Sequence, residues 1–289
     1  MKPAPFEYVR PTSVAEAASA LRDANGQAKI LAGGQSLVPL LNFRLASPQL
    51  LVDLNAIADL AYIRPSETTL AVGAMTRVRA LERDEWVRRN LPILSQALSW
   101  VGHVQIRNRG TVGGSIAHAD PAAELPALAV LLDGSVTLVG PSGERTMTVD
   151  ELLLGFLTTS IEEDELISEV RFAVPRRGAT WGFQEFAPRH GDFAFAGAAV
   201  VITRDDQGRT TEARVVVFGG PDRALRATEA EQALIGIELT GERADHVAAT
   251  AAGETLVDDP RPDAPYRRRL TQAMVARALR DAMGPRTTA

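Results

Sequence analysis

The sequence predicts an α+β fold in two parts, on three observations. Helical and strand-like segments alternate irregularly as far as Val174. The stretch Pro175-Arg176-Arg177-Gly178 then interrupts the chain. Beyond it come two strand-like segments joined by a turn, followed only by helical pattern. The length of 289 residues points the same way, since single domains cluster at ~100–150 residues. The expected boundaries are residues 1–175, built of two α/β subdomains, and residues 178–289, a three-stranded antiparallel sheet with helices.

The first helix is marked by its cap. Ser13-Val14-Ala15-Glu16 is a capping box, with the Ser13 hydroxyl placed to accept an orphan N–H and Glu16 to reach back. Val14, Ala17, Ala18 and Leu21 fall on one face, and Asn25-Gly26 supplies the left-handed stop. A short strand, 28–32, runs into Gly33-Gly34-Gln35-Ser36, and 37–41 reads as a helical turn. Strands are expected at 51–54 and 69–72, then a helical stretch over 77–90 in two pieces. Pro92 opens the next helix from its first turn, with Leu94, Leu98 and Val101 as its buried stripe. A second glycine turn is expected at 110–115, a short buried helix after Pro126, and strands at 135–139 and 167–172. In the second part, strands at 194–203 and 213–218 flank the turn Asp205-Asp206-Gln207-Gly208, and helices are expected at 227–236, 242–253 and 265–283.

Composition narrows the chemistry. There is no cysteine, so the chain has no thiolate nucleophile and cannot itself hold an iron–sulfur cluster. The four histidines, His103, His118, His190 and His246, show no i, i+4 pair aimed at one metal. A net charge of −5 opposes nucleic-acid binding, which requires neutralising phosphates. The longest apolar run, 193–202, is half the ~20 residues of a transmembrane helix. Residues 1–13 carry no apolar signal core, and a cytoplasmic protein is expected.

The two glycine turns carry the functional signal. A Gly-Gly turn lets backbone approach a ligand without a Cβ in the way and can aim N–H groups at a phosphate. Two such turns in one domain suit a dinucleotide, whose linked phosphates need donors from more than one loop. The chain has neither Gly-x-Gly-x-x-Gly nor Gly-Lys-Ser/Thr, which argues against a Rossmann nicotinamide site and leaves no P-loop.

Ala32-Gly33-Gly34-Gln35-Ser36-Leu37 is one of two stretches that resemble a known family. The other runs from Ile106-Arg107-Asn108-Arg109-Gly110-Thr111-Val112-Gly113-Gly114-Ser115 on to Ala117-His118-Ala119-Asp120-Pro121-Ala122-Ala123-Glu124-Leu125-Pro126. Together they resemble the flavin loops of the medium, FAD-binding subunit of the molybdenum hydroxylases, the xanthine dehydrogenase and carbon-monoxide dehydrogenase family. Glu165–Val170, Gly191–Ala194, Arg226–Glu231 and Tyr266–Leu270 extend the resemblance over essentially the whole chain.

The resemblance implies a PCMH-type FAD-binding domain of two subdomains and non-covalent FAD between two loops. Ala32 to Ser36 and Thr111 to Ser115 are the positions that grip the pyrophosphate with backbone N–H groups, Thr111 and Ser115 adding hydroxyls. Leu37, Ala117 and His118 belong to the same loops. Glu124 matches a carboxylate on FAD hydroxyls, an acceptor-only group suited to O–H donors, with Asp120 a second candidate. Ile167 and Phe193 match positions beside the flavin ring. Glu185 stands where many relatives have a basic residue, on the strand facing the flavin, and Ser115 where many have Asn.

The implied function is electron transfer. The chain would take electrons from 2Fe–2S clusters of a small subunit and pass them to an external acceptor. Hydroxylation would occur at a molybdopterin centre on a large subunit, in a dimer of heterotrimers. A free-standing FAD-dependent oxidase or reductase is the alternative. Several residues keep two readings. Glu124 can equally charge a helix start, His118 can be a hydrogen-bonded loop residue, and Phe193 can be core. Arg267-Arg268-Arg269 can be a solvated helix face or an interface.

Overall fold

In the computed structural model, which describes residues 2–253 and 263–284, the described residues form three larger sheets and a two-stranded one, Leu153–Gly155 with Thr158–Thr159, with helices packed between and upon them. Residues 285–289, the end of the expected second domain, lie outside the described residues.

The first sheet is parallel and three-stranded, with Leu50–Asp53 between Glu7–Val9 and Ala28–Leu31. Helix Val14–Asp23 covers it through Ala17 and Leu21, in one cluster with Val52, Leu54 and Leu60. Its cap is as expected. The Ser13 hydroxyl accepts the Glu16 N–H at 3.2 Å, and Glu16 accepts from Thr12, one residue earlier than a strict capping box. Asn25 and Gly26 end the helix at φ 46° and 78°.

The second sheet is antiparallel and five-stranded. Leu166–Ala173 is central, flanked by Thr69–Gly73 and Ser135–Gly140, with Ile63–Pro65 and Gly143–Thr148 at the edges. The two edge strands and Glu7–Val9 carry no alternating apolar pattern and were not expected from sequence.

The third sheet has four strands in the order Thr180–Phe186, Ala196–Arg204, Thr210–Phe218, Leu225–Arg226. The expected count of three is therefore corrected. The fourth strand has two residues and pairs only with Val216 and Val217, too short for any periodicity to register. The predicted turn is present: Asp205 Oδ1 accepts the Gln207 and Arg209 N–H groups, and Gly208 takes φ 79°.

One face of this sheet packs on helices Thr228–Leu234, Gly241–Ala251 and Ala264–Met283 through Ala198, Val200, Ile202, Val215 and Val217. The other face, through Phe183, Ala199, Val201, Val216 and Phe218, joins the core around helix Glu124–Leu131. Because both faces are buried, the Ala196–Arg204 strand and the end of the Thr210–Phe218 strand read as nearly unbroken apolar runs. Ion pairs fasten the junction: Asp133 meets both Arg214 and Arg226 at 2.7 Å, and Arg223 meets Asp150 at 2.6 Å. Among the described residues no helix is long and apolar enough to cross a membrane.

Two expectations about the site region change. The segment 110–115 is not a free turn. Val112–His118 is a helix, capped when the Thr111 hydroxyl accepts the Gly114 N–H at 3.2 Å. Two glycines in its first turn conceal it from a reading by propensity. The buried helix begins at Glu124 rather than at Pro126, because proline lacks only the N–H that a first turn leaves free.

Candidate functional site

The strand Ala28–Leu31 delivers the chain to Gly33 and Gly34 before helix Leu37–Asn42 begins. Gly34 adopts φ 74°, a left-handed conformation natural to glycine. The backbone N–H groups from Gly33 to Leu37 have no acceptor among the described residues. A run of unpaired N–H groups around an αL residue is an anion-binding concavity.

The second loop behaves differently. The N–H groups of Val112, Gly113, Gly114 and Ser115 are taken by Thr76 O, Ala74 O, Thr111 Oγ1 and Thr111 O at 2.8–3.2 Å. The expectation of free donors here is corrected. What this segment offers freely is the hydroxyl protons of Thr111 and Ser115. Its glycines serve close packing. A Cβ on Gly113 would overlap Ala74, and one on Gly114 would lie 2.7 Å from Thr111 Oγ1 and 3.5 Å from Ala32 Cβ.

The two segments touch. A Cβ on Gly33 would fall well under 3 Å from the Arg109 carbonyl oxygen and 2.8 Å from Gly110 Cα. A polar brace that sequence reading missed fixes this approach. Asn55 Nδ2 donates to Ala32 O at 2.9 Å, and Arg77 Nη2 donates to Asn55 Oδ1 at 2.6 Å. Arg77 Nη1 donates to Arg109 O, so one chain of hydrogen bonds links the first segment to the second. Asp53 Oδ1 in turn accepts the Asn55 N–H at 2.9 Å. An isolated Asn and an isolated Arg, 22 residues apart, carry no local signal of this.

Ile167 is buried on the central strand beside this region, since Gly113 N–H donates to Ala74 O and Ala74 N–H to Ser168 O. Ala117 is exposed, and His118 is half-buried in the last turn of its helix. The chain then turns through Ala119 at φ 51°. Asp120 Oδ1 accepts the Ala122 N–H at 2.9 Å, shaping the turn that leads into Glu124.

Glu124 is the first residue of its helix and only 8% exposed. Burial above all, with Asp120 adding and Arg107 opposing, raises its carboxyl to about 7. Arg107 is itself buried. It pairs with Glu82 at 2.8 Å and donates to the carbonyls of Val101 and Gly102. Phe193 is 71% exposed, so it is not core. Trp100, half-buried, packs its ring edge-on against His190, with centroids 4.6 Å apart.

A parallel and an antiparallel layer meet where two glycine segments touch, braced by hydrogen bonds, and the first segment's free N–H groups suit the anionic phosphates of a dinucleotide cofactor. Comparison with known proteins agrees. Residues 4–176 match the model of the FAD binding domain in molybdopterin dehydrogenase, and residues 181–282 that of the CO dehydrogenase flavoprotein C-terminal domain. The chain is 46% identical over 287 residues to the 6-hydroxypseudooxynicotine dehydrogenase complex subunit alpha of Paenarthrobacter nicotinovorans, covering 98% of this chain and 96% of that one. It is 37% identical over 281 residues to the carbon monoxide dehydrogenase medium chain of Hydrogenophaga pseudoflava, covering 96% and 97%. Among solved structures, the carbon monoxide dehydrogenase of Hydrogenophaga pseudoflava lacking the Mo-pyranopterin moiety superposes with a TM-score of 0.94 at 38% identity, over 98% of both chains. Quinoline 2-oxidoreductase from Pseudomonas putida 86 gives 0.93 at 34%, again over 98% of both. The chain belongs to the molybdenum hydroxylase family, as one of its FAD-binding medium subunits.

Proposed function

We propose that this chain binds FAD non-covalently in the cleft between residues 32–37 and 111–115 and serves as the electron outlet of a three-subunit molybdenum hydroxylase. The observation that carries the reading is the row of N–H groups from Gly33 to Leu37 that have no acceptor among the described residues, held where the missing Cβ of Gly33 lets the Arg109–Gly110 backbone come close. FAD, when bound, supplies the redox chemistry; the protein supplies binding, orientation and electrostatics.

Gly33 to Leu37 hold the pyrophosphate, with hydroxyl donors from Ser36, Thr111 and Ser115. Gln35 keeps its own amide on Gly33 O at 3.1 Å, which shapes the loop. Glu124 and Asp120 accept from FAD hydroxyls. Ile167 and the exposed Phe193 border the ring, with Ala117 and His118 at the rim. No side chain is required as an acid or base.

Relatives named as a medium chain or as one subunit of a dehydrogenase complex support the presence of partner subunits. In this reading a small iron–sulfur subunit is the electron donor and a large molybdenum–pterin subunit the seat of hydroxylation, arranged as a dimer of heterotrimers in the cytoplasm. With no cysteine, the chain depends on such a partner for iron–sulfur clusters. The test follows the flavin absorbance band under anaerobic stopped flow. The isolated chain loaded with FAD should stay oxidised when mixed with the hydroxylation substrate and bleach once both partners are added. Rapid bleaching of the isolated chain by substrate would replace this reading with a free-standing flavoenzyme. Flavin left on the protein after acid precipitation would overturn non-covalent binding.

A further inference from the structure

The strand Thr180–Phe186 divides its side chains between two faces. Gly182 and Gln184 face helix Ala264–Met283: a Cβ on Gly182 would overlap the Ala278 backbone, and Gln184 Nε2 donates to Asp281 Oδ2 at 2.7 Å. Phe183 and Glu185 therefore point the opposite way, toward the FAD-binding part. Phe183 is 2% exposed and stacks on Phe218, with centroids 5.9 Å apart. Glu185 is 7% exposed, and among the described residues neither of its carboxyl oxygens has a hydrogen-bond partner. Its neighbour across the ladder is Gly197, whose missing side chain leaves room for the Phe218 ring. A carboxylate so placed, with no cation and no donor, is costly, whereas the neutral acid is tolerated.

The charged group that acts on Glu185 is Glu124. Burial, and then the Glu124 charge, push the Glu185 carboxyl up to about 9. The surrounding elements provide little relief. Asp120, in the loop before Glu124, adds negative charge, and Arg107 is shared with Glu82 and two carbonyls. Asp281 lies on the other face of the strand, bonded to Gln184. Arg214 is committed to Asp133, Arg267 donates to Gly219 O, and the His190 ring lies against Trp100. Helix Pro92–Leu98 and the Gly197 position bring no ionisable group.

We propose that Glu124 and Glu185 form a carboxyl pair that holds one proton at neutral pH, and that FAD binds the singly charged pair and is released when that proton is lost. This rests on the FAD reading above. In the pair, ionised Glu124 is the acceptor and protonated Glu185 a donor, so one site offers both functions without a cation. Loss of the proton to solvent puts a second negative charge beside a cofactor that already carries an anionic pyrophosphate. The two carboxyls titrate as one system, and the upper step belongs to the pair.

The test is an FAD titration of the full chain, by quenching of flavin fluorescence, from pH 7 to 10. In the wild type, Kd should rise above about pH 9, approaching tenfold per pH unit, as one linked proton requires. In Glu185→Gln, which cannot ionise, this rise should disappear; ionisation of the flavin itself is common to both proteins and cancels. Parallel profiles in the two proteins would overturn the pair. Infrared spectroscopy of the wild-type apoprotein provides an independent check that needs no cofactor. A protonated-carboxyl C=O band should be present at pH 8 and gone at pH 10, and its absence at pH 8 would overturn the proposal. A wild type that shows the band but binds no FAD at any pH would overturn the FAD reading instead.

Discussion

Gly33→Ala tests the site at its narrowest point. The added methyl would lie 2.8 Å from Gly110 Cα and closer still to the Arg109 carbonyl oxygen, both backbone atoms. Ordinary contact begins at 3.4 Å, so the two segments must part by at least 0.6 Å. They cannot part freely, because Arg77 ties Arg109 O to Asn55 and Asn55 ties Ala32. Overpacking of this kind costs ~1–3 kcal/mol. For a chain of this size that is a drop of roughly 2–10 °C in Tm. The displaced N–H groups should also lose one or two bonds to phosphate, at about 1.5–3 kcal/mol each, which weakens FAD by a factor of ten to several hundred or more. Thermal melts and FAD titrations of Gly33→Ala and of Gly241→Ala, where a Cβ meets nothing, measure both effects. The control should match wild type. A Gly33→Ala protein with unchanged Tm and unchanged Kd would refute the argument that these segments are held in contact.

Arg77→Leu should part the same segments by removing the brace. It costs two charge-assisted hydrogen bonds and leaves Asn55 Oδ1 and Arg109 O unpaired, so a loss of roughly 2–4 kcal/mol in stability is expected in denaturant melts, with FAD weakened about tenfold or more. Asn55→Ala should do less, because Arg77 keeps Arg109. Glu124→Gln should separate binding from stability. FAD affinity falls about ten- to a hundredfold with the loss of a charged acceptor, while the apoprotein gains stability at pH 8 because a buried carboxylate beside Asp120 is replaced by a neutral amide. The pH dependence follows the same logic. Glu124 and Glu185 retain protons in the fold that the unfolded chain releases at the ordinary carboxylate value, so apoprotein stability is full below that value and falls as pH rises through about 7 and then about 9. The melting temperature of wild type should decline over that window, and that of Glu124→Gln/Glu185→Gln should decline less; equal slopes would remove the buried carboxyls as its cause.

Much of this was legible in the sequence because it is local. The helix after Ser13, the stop at Asn25-Gly26, the Gly33-Gly34 turn and the Asp205–Gly208 turn each depend on residues a few positions apart, where capping and φ preferences act directly. The glycine segments were also visible as a motif, although their roles were not. Only the fold shows that Gly113 and Gly114 open a helix and pack against Ala74 and Thr111, while the free N–H groups lie at Gly33 to Leu37. Sequence could not reveal Asn55 and Arg77 as a brace, since the bonds that join the two segments run between residues more than 20 positions apart. Nor could it give the state of Glu185. The resemblance put this residue on the strand facing the flavin, but its burial without a hydrogen-bond partner follows only once the sheet is covered on both faces. Local backbone chemistry is written in neighbouring residues. Burial, and the protonation that burial enforces, are set by what distant segments bring to the same place.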